Sequence, residues 1–173
     1  MSDDQLGLDL GVEVKVDEGV EAWADWIAPE RMESQIRELI IATLPDIDKD
    51  LPAEKWWQDP LLERIGKAVD EKFADKQDMI ISDNADVIDQ LARFVGEHFV
   101  RMAGAQWVNQ APLRPGRPIY DVIGPAIRFQ HEEELEFSAL ALVDWIMTEG
   151  WVDVWLAARS YARDWVEWQQ RNQ

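Results

Sequence analysis

The chain contains no cysteine. Thiol catalysis, disulfides, Cys-ligated zinc and iron–sulfur clusters are therefore excluded together. Histidine is nearly absent, with two in 173 residues. These are His98 and His131, and neither has a second His four residues away, the spacing of a zinc-binding helix. There is no Walker loop and no Gly-x-Gly-x-x-Gly, and no Gly-x-Ser-x-Gly elbow surrounds Ser34, Ser82, Ser138 or Ser160. Long apolar runs are missing too. The longest, Phe137 to Val143, stops at Asp144, far short of the roughly 20 residues a membrane-spanning helix needs. The start, Met1-Ser2-Asp3-Asp4-Gln5, has neither the basic nor the apolar region of a secretory signal, so the expected compartment is the cytosol.

Positive charge is scarce. Lys and Arg number 17 against 35 Asp and Glu, for a net charge of −18. A protein that binds phosphates must bring cations, so direct contact with nucleic acid or an anionic membrane is not expected. The charge instead permits a basic protein partner, or mimicry of a polyanion. It is unevenly placed: residues 1–50 carry 14 acids and 4 bases, residues 51–100 carry 11 and 6, and residues 101–173 carry 10 and 7. The first third is the acidic pole.

What the chain does have is apolar bulk, with 47% hydrophobic residues and 10 Trp. A chain of this length buries about 70% of its unfolded surface, so residues 1–173 read as one domain that needs no cofactor to fold. From Leu6 to Val16 every even position is apolar and every odd one is Gly or charged, which predicts a half-buried strand within an N-terminal β arm over residues 1–18. Helical spacing follows Pro29 through Met32, Ile36, Leu39 and Ile40, and Pro45 ends it. A second helix is expected after Asp59-Pro60 and a third from about Ser82, with Gly104 as its stop. Residues 105–109 and 118–123 read as strands joined by a Pro-rich loop, with residues 126–129 as a short third. From Glu132 two more helices are expected, broken at Gly150. The class is α+β, helix-dominated, with a small antiparallel sheet or hairpin.

Candidate chemistry is thin. His98 reads as a partly exposed or hydrogen-bonded side chain. His131 and Glu134, one helical turn apart, are candidate metal ligands if others join them, although a Glu run also suits a helix start. Thirty-five acids leave paired-carboxylate catalysis open, but a chance pair carries no information. Tryptophan is the residue of interface hot spots. The adjacent Trp56 and Trp57 suggest a contact loop. With Trp23, Trp26 and Asp25 they form the candidate partner-binding set.

Two resemblances add to this reading. Gln5-Leu6-Gly7-Leu8-Asp9-Leu10 resembles the hexapeptide Gln-Leu-x-Leu-x-Leu by which bacterial proteins dock on the replicative sliding clamp. It implies polar contacts from Gln5 and an apolar cleft filled by Leu8 and Leu10. Gly96, Glu97, Gly104 and Trp107, in a small acidic Cys-free chain, resemble a helix-to-strand pattern of bacterial immunity and accessory proteins. This implies an inhibitor-like role and no catalytic residue. The preferred expectation is an acidic, non-enzymatic protein that engages a basic macromolecular partner. A clamp-docking accessory protein and a carboxylate- or metal-dependent enzyme are the alternatives.

Overall fold

The computed structural model describes residues 11–73, 84–110, 119–131 and 135–172, with side chains described from residue 18 onward. Helices α1 (Gly11–Ile27) and α2 (Pro29–Thr43) meet at Ala28, where Pro29 opens α2 with a ring already set at helical φ. Met32, Ile36, Leu39 and Ile40 give α2 its buried stripe. A 3-10 turn at Ala53–Trp57 leads into α3 (Leu61–Lys72), whose buried side carries Leu62, Ile65 and Val69.

Helix α4 (Ala85–Ala103) is the centre of the molecule and packs against α2, α5, α6 and the sheet. Residues 90–99 are buried without a break, polar and charged groups included, and Leu91, Phe94, Val95 and Phe99 are fully so. Its close packing depends on Gly96, where a Cβ would lie 2.2 Å from the Trp107 ring. The helix ends at Gly104 with φ +66°, a conformation that costs glycine little.

Strands β1 (Ala105–Asn109), β2 (Pro125–Phe129) and β3 (Glu136–Ser138) form an antiparallel sheet in that order. Trp107 opposes Ile127, and Arg128 opposes and pairs with Glu136. Ser138 then caps α5 (Ala139–Glu149), its Oγ accepting from the Ala141 N–H at 3.2 Å. Gly150, at φ +82°, separates α5 from α6 (Trp151–Arg171). The fold is α+β and helix-dominated, as the patterning implies. No helix among the described residues is long and apolar enough to cross a membrane.

Several local expectations are corrected. Residues 11–16 are helical, not extended, so the β arm does not exist over 11–18; residues 6–10 lie outside the described residues. Val12, Val16, Val20, Trp23 and Ile27 recur at three- and four-residue steps, a helical period that their partial alternation conceals. Residues 119–122 are bends and 123 has no regular structure, and β1 pairs with 125–129 instead. Tyr120 sits at φ +63°, which interrupts any strand there. Helix α5 starts at Ala139 rather than Glu132, because β3 intervenes. No side-chain cap forms at the start of α3, whose N-cap position is held by Pro60.

Candidate functional site

Asp89, Arg93, Glu97 and Arg101 stand four residues apart on α4 and so form one stripe of alternating sign. Arg93 Nε donates to Asp89 Oδ2 at 2.7 Å, and Arg101 Nε donates to Glu97 Oε2 at 3.1 Å. Such a stripe is ordinarily the solvated face of a helix. Here Arg93 is fully buried and Glu97 nearly so.

Tryptophans make that burial tolerable. Trp26 Nε1 donates to Asp89 Oδ1 at 2.7 Å, and the Arg93 guanidinium lies 4.1 Å from the centroid of the Trp26 ring. Arg93 Nη1 donates to the Trp26 carbonyl, also at 2.7 Å, which ties the end of α1 to α4. The Tyr120 hydroxyl donates to Asp89 Oδ1 at 2.7 Å, so three elements converge on one carboxylate. Burial, reinforced by the Asp89 charge, pushes the Tyr120 phenol well above its ordinary pKa. One turn further on, Trp107 Nε1 donates to Glu97 Oε1 at 2.9 Å. At the open end, Arg101 lies 5.1 Å from the centroid of the Trp57 ring.

This open end borders a cleft of about 240 Å³. Ile27, Met32, Ile36 and Trp57 contribute its apolar lining. Its charged groups are Glu33, Glu54, Glu97 and Arg101. The volume falls below the roughly 300–1,000 Å³ of sites that enclose small-molecule ligands, and suits a single inserted side chain.

The candidate residues fall in different places. Trp56 is buried at 1% exposure, with the Arg37 guanidinium 4.7 Å from its ring centroid; it is a core residue and not the exposed anchor expected of a contact loop. Trp57 is half-buried, stacks on Phe94 and lines the cleft. Trp26 is buried beneath the stripe and Trp23 stacks on it at 5.5 Å. Asp25 is exposed and pairs with Arg31. Gln5, Leu8 and Leu10 lie outside the described residues, as does Glu134. Sequence reasoning missed Asp89, Arg93, Glu97 and Arg101. The signal was present: these four are spaced by four in a segment whose other positions are mostly apolar.

The histidines also depart from expectation. His98 is fully buried, and its ring nitrogens have no hydrogen-bond partner among the described residues. Its ring lies 4.9 Å from that of Trp151 and 6.4 Å from that of Trp57. Burial lowers its pKa from 6.5 to about 4. His131 packs against Phe129, Tyr161 and Trp165, and its ring nitrogens have no hydrogen-bond partner among the described residues. Among the described residues no group of three or more His, Asp and Glu is placed to hold a metal ion.

His98 sets a pH dependence. The unfolded chain binds the His98 proton below about pH 6.5, whereas the folded chain resists it down to about pH 4. Stability from this group is complete above pH 6.5 and is lost as pH falls towards 4, by about 3 kcal/mol. Denaturant unfolding of His98→Leu beside the native chain checks this. The gap between the two should close or reverse in favour of the variant between pH 6.5 and 4, and a constant gap would contradict it.

Compared with protein-family models, with curated proteins and with solved structures, the chain matches none.

Proposed function

We propose that the protein is a binding module that engages a basic macromolecular partner through its acidic amino-terminal third, in the manner of an inhibitor or immunity protein. One observation carries this reading: the acids of α1 and α2 whose side chains are described are surface groups left largely uncompensated among the described residues. Glu18, Glu21, Asp25, Glu30, Glu33 and Glu38 are all exposed. Only Asp25 and Glu33 of these six pair with a cation among the described residues, Arg31 and Arg37 respectively. Asp46, Asp48, Asp50 and Glu54 continue the exposed acidic surface beyond α2. Clustered like charge repels itself and gains from an opposite surface, so it serves recognition and rapid encounter rather than folding.

The cleft between the α1–α2 corner, the 3-10 turn and α4 is lined by two of these exposed acids, Glu33 and Glu54, which gives long-range attraction a place to end in contact. Affinity capture from the source cell at low salt, with mass spectrometry of what elutes, tests the reading. A specific partner of basic character, released by moderate salt, is expected. A specific partner of acidic character would overturn it.

A further inference from the structure

A cation is held best by an aromatic face and a fixed carboxylate together. Trp57 and Glu97 supply that pair at the edge of the cleft. The Glu97 carboxylate is anchored by the Trp107 N–H at 2.9 Å, independently of any cation. The cation now present is the protein's own. Arg101 lies 5.1 Å from the Trp57 ring centroid and 3.1 Å from Glu97 Oε2, yet its side chain is 45% exposed. The inner pair differs, since Arg93 beside Asp89 is sealed at 0% exposure. Arg101 can therefore swing into water at little cost, and Arg93 cannot.

The surroundings favour an incoming positive group. Glu33 and Glu54 line the cleft with Glu97, three carboxylates against one guanidinium. Glu33 is engaged by Arg37 at 2.7 Å, and Glu54 has no ion-pair partner among the described residues. The volume of about 240 Å³ suits one long side chain.

We infer that Trp57 and Glu97 form a seat for a single Arg or Lys side chain of a protein partner, with Arg101 as an internal occupant that yields to it. This rests on the proposed basic partner and adds the group by which that partner is held.

Calorimetric titration of a nona-arginine peptide at low salt tests the seat. Arg101→Ala should bind about fivefold or more tightly than the native chain, because the competing cation is gone. Arg159→Ala makes the same change in net charge on α6, where Arg159 lies over Trp155 and does not line the cleft. It should bind nearly as the native chain does, as should Arg101→Lys. Adding Glu97→Gln to Arg101→Ala should remove the gain, with thermal melting confirming that each variant is folded. Equal gains from Arg101→Ala and Arg159→Ala would overturn the seat while leaving the acidic-surface reading intact. Failure of every form to bind the peptide would overturn both.

Discussion

Asp89→Ala should destabilise the protein by about 3–5 kcal/mol, the scale on which removing one member of a buried ion pair is felt. The carboxylate receives Arg93 Nε, Trp26 Nε1 and the Tyr120 hydroxyl, each at 2.7 Å. Without it the fully buried Arg93 charge keeps, among the described residues, only the Trp26 carbonyl, the Trp26 ring and a distant Met32 sulfur. One guanidinium nitrogen, Nη2, already has no partner among the described residues, so the site has little in reserve. The cost is chiefly that of a stranded charge, so Asp89→Leu with Arg93→Met should recover most of the loss. Urea unfolding of the three proteins checks this. An Asp89→Ala loss below about 1 kcal/mol would mean that the network is not a structural junction.

Trp56→Ala should cost a similar amount, about 3–5 kcal/mol, because it empties a buried aromatic site at the wall of the cleft. Trp56 is 1% exposed, and Arg37, which lies over its ring, donates to the carbonyls of Lys49 and Leu51 at 2.7 and 3.1 Å. The substitution therefore also loosens the loop that Arg37 holds. Domains of this kind are stable by only about 5–15 kcal/mol, so much of the margin would go. Calorimetric melting should show a large fall in transition temperature. A melting temperature within a degree or two of the native value would contradict the placement of Trp56 in the core.

The two adjacent tryptophans show what a sequence can and cannot reveal. Their bulk is legible, but which of them faces the core is decided by the 3-10 turn, whose tighter winding sends neighbours in different directions. Helices α2 and α4 are legible because buried side chains recur at the helical period and Pro45 and Gly104 mark their ends. The stop at Gly150 is legible for the same reason.

The segment from Gly11 to Val16 alternates as a strand would, yet the chain is helical from Gly11 onward. Residues 119–123 are β-prone, yet Tyr120 is drawn towards Asp89, while Ala126, Ile127 and Phe129 fill the core from β2. The charged stripe of α4 is hidden for a related reason. Its burial depends on Trp26 and Trp107, which reach it from other elements. Charges spaced by four carry no mark of the partners that will cover them.

The acidic surface of α1 and α2 is proposed to attract a basic partner. Stopped-flow association with the captured partner, from low salt through physiological ionic strength, tests it most directly. Charges separated by more than about 8 Å are largely screened at the upper end of that range. The on-rate should fall steeply with salt, and Glu18→Gln with Glu21→Gln and Glu30→Gln should lower the low-salt on-rate while leaving the off-rate nearly unchanged. An on-rate that stays flat with salt and is indifferent to those three substitutions would contradict attraction by this surface.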